Sequence, residues 1–326
     1  MMDVRQSLAK FQTTRVLLVG DTIVDLYTYG SALGLSVETP TIVARRTSVS
    51  RTLGGAAFVC RNLLELGAQV DFITAVGADD EAAHVAGFTA SGLELVAIAD
   101  PSRPTTVKQR FWVDGYKLLQ LETGDDVLID EAVAADAMSA FHARLGEAGV
   151  VVISDYRHGL ITPAMAAEFV RSANAAGKPI YVDSQVAQNT SNHTDYRSGA
   201  IICLNLKEAR CVDPAFTPSD QPAAFAGLRA RLDARVLVVK LGEQGSMIFD
   251  GETVVKAPAR PVMAADTTGA GDAFLAALAL TGVDDPFEAL TLANAWAALS
   301  IQIHGTVPPA LEDLVTMLAP AASPQI

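Results

Sequence analysis

The chain has 326 residues, 50% of them hydrophobic and 19% charged, enough to bury a large core within one domain. Its net charge of −13, with no basic run or stripe, argues against a nucleic-acid partner but leaves room for an anionic substrate in a local pocket. The three cysteines, Cys60, Cys203 and Cys211, are scattered and form no CxxC pair, so they read as buried thiols of a reducing compartment, not a disulfide or zinc framework. The opening MMDVRQSLAKFQTTR lacks the apolar core of a signal peptide, and no apolar stretch reaches about 18 residues. No membrane association is expected, and the expected location is the cytoplasm.

In chain order, RVLLVGD (15–21) is a short apolar run ending in Gly-Asp, the pattern of a buried parallel strand. Residues 22–53 alternate polar and β-branched residues among turn formers, which predicts exposed antiparallel strands outside the core. A helix bracketed by glycines follows over 54–68. QVDFITAVG (69–77) and the runs at 148–155, 178–183, 199–205 and 234–242 predict further buried strands, with helices at 130–146, 163–176 and 218–233. This alternation predicts an α/β fold with a mostly parallel sheet and helices on both faces. Segment 103–125 breaks the rhythm: it is rich in Thr, Val and aromatic residues, and Asp114-Gly115 separates its halves as in a hairpin. With 22–53 it would form a small accessory sheet whose apolar face needs a cover, by substrate, partner subunit or both.

Ligands of such sheets bind at the carboxyl ends of strands, so the loops after Asp21, Asp155, Asp183, Asn205 and Gly242 carry the chemistry. There is no GxxxxGK[ST] loop and no GxGxxG after the first strand. Phosphate handling must then rest on ADTTGAGDAF (265–274), two glycines and an aspartate at the mouth of an apolar helix. A helix N-terminus is an anion site, the glycines let backbone approach a ligand, and Asp272 in the first turn needs a task such as taking a proton. NLKE (205–208) reads either as a hydrated-magnesium site or as a capping box. KLGEQGSMIF (240–249) reads as a Gly-containing turn between strands, with Lys240 facing either a phosphate or solvent. GGAA (54–57) opens a helix and Asp25 lies just past the first strand, where a carboxylate can hold a pair of sugar hydroxyls.

The order of these pieces resembles the ribokinase (PfkB) family of ATP-dependent carbohydrate kinases, from about residue 15 to 312. The resemblance implies one ribokinase-like kinase domain over 1–326, with a small β-sheet lid formed from about 22–53 and 103–123 that often makes a homodimer contact. It implies Asp272 as the general base, with the N–H groups of Gly269, Ala270 and Gly271 as an anion hole for the transferring phosphoryl group. Asn205 and Glu208 would organise Mg²⁺ and its waters. Gly242 and Gly245 would flank ATP, with Lys240 near its phosphates and Asn294 near the adenine. Asp25, Gly54 and Gly55 would hold the sugar. Many members bind K⁺ through positions matching Asp266 and Thr268, although HGTVPP (304–309) has proline where some potassium-dependent relatives carry serine.

Within the family, SRPTTVKQRF, KLLQLETGDD, ISDYRHGLIT, LNLKEA and LANAWAALSIQIHGT look like the kinase domain of D-glycero-β-D-manno-heptose 7-phosphate kinases. That branch phosphorylates an anomeric hydroxyl of a sugar phosphate, which implies that Lys108 and Arg110, with Arg157 as a third, grip the distal phosphate. An adenylyltransferase domain, fused to some members, is not expected after LEDLVTMLAP. The departures cluster around the sugar: Phe58 stands where the family has asparagine, His158 where the branch has lysine, Ser184-Gln185 for Pro-Lys, and SVETP for SPEAP. Kinases of ribose, a ketohexose, a hexose phosphate or a nucleoside therefore stay open, as does a non-catalytic sugar- or nucleotide-binding protein, against which the intact Asp272 argues.

Overall fold

In the computed structural model, which describes residues 4–124, 127–187 and 190–319, the first half of the chain forms α1 (Val4–Phe11), β1 (Arg15–Gly20), β2 (Thr22–Leu35), β3 (Ile42–Gly55), α2 (Ala56–Glu65), β4 (Gln69–Val76), α3 (Asp80–Ala86), β5 (Leu93–Ala99), β6 (Val107–Val113), β7 (Tyr116–Thr123), α4 (Glu131–Leu145) and β8 (Val150–Asp155). The second half forms α5 (Pro163–Ala175), β9 (Ile180–Ser184), β10 (Ile201–Asn205), α6 (Leu206–Val212), α7 (Ala226–Leu232), β11 (Val236–Lys240), β12 (Ser246–Phe249), β13 (Val254–Ala257), α8 (Ala270–Thr281), α9 (Pro286–Ser300) and α10 (Leu311–Leu318).

Side chains alternate across a strand, and β1 shows the use of this period. Val16 and Leu18 enter a core with Leu63 of α2, Leu275 of α8 and Trp296 of α9. Leu17 and Val19 enter a second core with Phe141 of α4, Phe169 of α5 and Leu228 of α7. The strand is thus buried on both faces, which is why its sequence is an unbroken apolar run.

The large sheet has the order β13-β12-β11-β10-β9-β8-β1-β4-β5. It is parallel from β5 to β11, and β12 and β13 close the edge as antiparallel strands. From β1 the chain steps to β4 and β5 on one side, then returns to β8 and proceeds outward on the other. The order therefore reverses between β1 and β8, and the crevice outside their carboxyl ends is where such a sheet takes its ligand.

The second sheet has the order β3-β2-β6-β7. The β6–β7 hairpin turns at Asp114 (φ 49°) and Gly115 (φ 82°), both left-handed, as a type I′ turn requires. β2 and β3 pair antiparallel, as expected of 22–53, while β2 and β6 pair in parallel: both leave the large sheet from its carboxyl edge, β2 after β1 and β6 after β5. One expectation needs correction: 22–53 is not outside the core throughout, since Thr22–Asp25 are buried and Val24 packs into the first core. Beyond Tyr29 the hairpin is largely exposed, and β7 is exposed along its whole length.

Other differences are local. The helix expected over 218–233 is a 3₁₀ turn at Pro222–Phe225 followed by α7, because Pro222 is tolerated only in a first turn. Helices α1 and α3 and strand β5 formed no part of the sequence reading. Cys60 and Cys203 are buried as expected, whereas Cys211 is half-buried. Among the described residues, no helix is long and apolar enough to cross a membrane.

Candidate active site

Gly269 caps the N-terminus of α8 without a side chain, at φ 79°. A Cβ there would lie 2.4 Å from the ring of Phe58, a buried residue of α2. Only glycine satisfies both the left-handed backbone and this approach. The helix that follows is buried from Asp272 to Leu280, so its open end is held rigidly. That end stands between two cavities, and Ala270 and Gly271 line both. The larger, of about 650 Å³, is walled by Gly242, Gly245, Val262, Phe274 and Asn294. The smaller, of about 200 Å³, is walled by Asp155, Tyr156, Asp183, Glu208 and Asp272.

The parallel register explains how these acids meet. Asp155, Asp183 and Asn205 end or nearly end β8, β9 and β10, Lys240 ends β11, and Asp21 follows β1. Asp272 is 7% exposed and accepts hydrogen bonds from the Tyr156 phenol at 2.8 and 2.7 Å. Burial, with Asp183 and Asp25 adding to it, pushes its carboxyl up to about 7, while Tyr156 and Lys240 pull the other way. A carboxyl in this range can take up or release a proton near neutral pH.

Lys240 forms a close ion pair with Asp183, and its Nζ would lie 3.4 Å from a Cβ at position 271, beside the open end of α8. Burial opposes its charge, but Asp183 and Glu208 overcome that and hold it protonated. Replacing Lys240 by Met leaves Asp183 and Glu208 without this counter-charge. Unfolding by urea at pH 8 should then show a loss of about 3–5 kcal/mol. The deficit should shrink towards pH 6, because Glu208, pushed up to about 7 by burial and Asp183, then takes up a proton.

Asn205 and Glu208 form a reciprocal capping box: Asn205 Oδ1 accepts from the Glu208 N–H at 2.9 Å, and Glu208 Oε2 accepts from the Asn205 N–H at 2.7 Å. The simpler reading of NLKE is therefore what α6 displays. Among the described residues no three His, Cys, Asp or Glu side chains converge as a metal cage. A hydrated Mg²⁺ needs only one or two carboxylates plus phosphates, and the acid-lined smaller cavity fits that requirement.

The residues expected around the sugar lie on the small sheet. Asp25 is 3% exposed, and Gly54 makes room for it, since a Cβ there would fall 2.1 Å from Asp25 Oδ2. Each of the three basic residues expected on a distal phosphate is engaged within the protein. Arg110 is ion-paired with Asp25 and lies over the Tyr27 ring, because β2 and β6 run side by side with Tyr27 opposite Arg110. Lys108 lies over the Tyr156 ring, and Arg157 donates to the Thr190 carbonyl oxygen at 2.8 Å. Asn294 lines the larger cavity, but its polar atoms serve the wall: it accepts from Ser246 at 2.9 Å and donates to the Ala257 and Pro258 carbonyls. Asp266 accepts from the N–H groups of Thr268 and Gly305, tying its loop to 304–309. Gly55 ends β3, immediately before α2.

Sequence reasoning assigned no role to Tyr156 or Asp183, although Tyr156 sits in a loop it had marked and Asp183 borders another. Asp21 and Asp155 turn out to be scaffolding. Asp21 accepts from the N–H groups of Tyr156, His158 and Leu160. Asp155 accepts from Ser184, Asn192 and Tyr196.

The profile of the pfkB family carbohydrate kinases matches residues 13–313. The chain belongs to this family, whose members transfer a phosphoryl group to a sugar hydroxyl. Among pfkB relatives, the bifunctional protein HldE of Bradyrhizobium diazoefficiens is 32% identical over 318 residues, covering 94% of this chain and 63% of its own length. That of Caulobacter vibrioides is 33% identical over 282 residues, covering 83% and 56%. The chain thus spans less than two thirds of the length of these relatives. Arabidopsis thaliana ribokinase, solved with ribose and ATP, superposes with a TM-score of 0.71 at 22% identity over 94% of this chain and 99% of its own. Escherichia coli phosphofructokinase-2, solved with potassium, gives 0.73 at 18% identity over 93% and 97%. The fold is ribokinase-like, as the sequence predicts.

Proposed function

We propose that this pfkB-family chain is a single-domain, ATP-dependent sugar kinase whose small sheet serves as a lid over the acceptor. The observation that carries the reading is the open end of α8, with Asp272 in its first turn, standing between the nucleotide-sized cavity and the small acidic one. ATP would lie in the larger cavity along Gly242, Gly245 and Asn294, with its phosphates towards Lys240 and the N–H groups of Gly269, Ala270 and Gly271. Asp272 would take the proton of the acceptor hydroxyl as it attacks the γ-phosphate, and the helix end would stabilise the charge that develops there. Mg²⁺, when bound, supplies neutralisation of phosphate charge. Glu208 and Asp183 are the residues that would hold its waters, and Asp266 with Thr268 would serve a K⁺ ion.

Similarity to HldE proteins and to heptose-kinase motifs supports a heptose 7-phosphate-like acceptor. A second reading, a sugar without a distal phosphate, is favoured by Arg110, whose guanidinium is already engaged by Asp25. The exposed Val43, Val49, Leu119 and Leu121 of the small sheet support a homodimer through the lid, and the proposed location is cytoplasmic. ADP release with Mg-ATP should be measured across heptose 7-phosphate, ribose, fructose, hexose phosphates and adenosine. Highest kcat/KM with heptose 7-phosphate supports the first reading, and preference for an unphosphorylated sugar supports the second. ATP binding with no turnover of any of these acceptors would overturn the heptose assignment and leave another acceptor or a binding-only protein as the readings.

A further inference from the structure

Tyr156 has no part in the scheme above, yet its phenol donates to both oxygens of Asp272 from a loop 116 residues away in the chain. We propose that Tyr156 is a positioning residue for Asp272: its bifurcated hydrogen bond fixes the plane of the carboxylate and favours its ionised form. A second lone pair on each oxygen stays free for the acceptor hydroxyl. The proposal rests on the reading of Asp272 as the base.

Three observations carry it. The loop bearing Tyr156 is built in advance of any ligand. Its N–H groups at 156, 158 and 160 are gathered by Asp21, the N–H of Arg157 is taken by Asp155 at 2.9 Å, and Arg103 of the β5–β6 connection donates to the His158 carbonyl. Arg157 adopts a left-handed φ of 62°, a conformation a long side chain keeps only when its surroundings impose it. The two carboxylates at the reversal point of the sheet thus serve to aim one phenol.

The second observation is the electrostatic setting of Asp272. The charged and titratable groups facing it are Asp183 from β9, Asp25 from β2, Lys240 from β11 and Tyr156. Burial and the two acids favour the neutral carboxyl, which cannot accept a proton. Lys240 is shared with Asp183, so the phenol is the donor directed at Asp272 itself. A hydrogen bond donated to the charged form stabilises that form.

Third, the phenol is kept as a donor. Burial, with Asp272 beside it, raises its own ionisation well above the ordinary value. Its O–H bond stays intact through the reaction: the acceptor's proton passes to Asp272, and Tyr156 gains and loses nothing. Lys108 of β6 lies 5.9 Å from the ring centroid, so the small sheet touches the residue that orients the base.

Tyr156→Phe in the full chain keeps the ring beneath Lys108 and removes only the donor. The carboxyl of Asp272 should be titrated by ¹³C NMR, its signal assigned by disappearance in Asp272→Asn. The parent midpoint is expected near 7, and in Tyr156→Phe it should rise by about one pH unit or more. The acid limb of kcat/KM, measured with whichever acceptor turns over, should move by the same amount, with the rate recovering at high pH. A titration and profile that superimpose on the parent overturn the proposal. So does a faster rate at every pH, which would make the phenol a plug. Full turnover in Asp272→Asn would sink the base assignment while the titration still reports on the Tyr156 contact. Abolished turnover there, with an unmoved Tyr156→Phe midpoint, would sink the Tyr156 role alone.

Discussion

Asp272→Asn is expected to lose phosphoryl transfer by roughly 10²–10⁴-fold while still binding nucleotide, since asparagine keeps the shape and the Tyr156 contact but cannot take a proton. Steady-state ADP release alongside ATP-binding calorimetry separates the two effects. The same variant should be more stable than its parent at pH 8. The parent carboxyl moves from 3.8 to about 7 on folding, mainly by burial, so the folded protein holds this proton more tightly than the unfolded chain does. Its contribution to stability is fully present below about pH 4 and is lost as pH rises through 7. Asparagine carries no such pH-dependent loss. The gain at pH 8 relative to pH 4 should be on the order of 2–4 kcal/mol, read from urea midpoints at the two pH values. An equal difference at both would mean that Lys240 and Tyr156 already compensate the buried charge in full.

Gly269→Ala should be a severely damaging single methyl group in the site. It combines a left-handed backbone, costing about 1–2 kcal/mol for any side chain, with a Cβ 2.4 Å from the Phe58 ring, an overpacking that costs about 1–3 kcal/mol more. Phe58 is 1% exposed, and a close-packed interior resists its displacement. Displacement of the α8 donors should also lower kcat by roughly 10²-fold. Trimming the ring with Phe58→Leu in the double variant should recover the packing part of the stability loss and not the backbone part. Gly271→Ala is the control: a Cβ there meets only the flexible Lys240 Nζ at 3.4 Å, and the backbone is ordinary helix. Comparable losses of stability at both positions would show that the clash with Phe58 is not the cause.

The contrast bears on the departure noted at position 58. Where the family carries asparagine, this chain places a ring that lines neither cavity and instead supports the Gly269 turn from beneath. The sequence signalled the change without revealing its sense, because the partner lies more than two hundred residues away.

That limit recurs through the molecule. Most strands of the large sheet, though not β5, and the glycine-started α8 were legible because each is a local pattern: an apolar run, a flanking glycine, an acid in a first turn. The Asp114-Gly115 turn was legible for the same reason. The parallel pairing of β2 with β6 was not, since alternation states that a strand has two faces and is silent about its neighbour. Tyr156 on Asp272, Lys240 on Asp183 and Arg110 on Asp25 are all long-range meetings at strand ends. No local pattern states which partner each will meet, and only the sheet order brings them together. Helix α3, capped by Asp79, has seven residues, too few for a periodicity to stand out.

The parallel seam between β2 and β6 also divides the small sheet by origin. The β2–β3 hairpin is contiguous, rooted in β1 at one end and in α2 at the other, and can zip as a local unit. Strand β6 joins it only after roughly fifty intervening residues have closed into β4, α3 and β5, a slower and entropically costlier event. Assembly order thus assigns Lys108 and Arg110 to the late half and Asp25 to the early half. On the proposed function, the face that meets the acceptor would be completed only after the β2–β3 hairpin. Opening along the same seam would part its cations from its acid and lift Val107 of β6 off the first core.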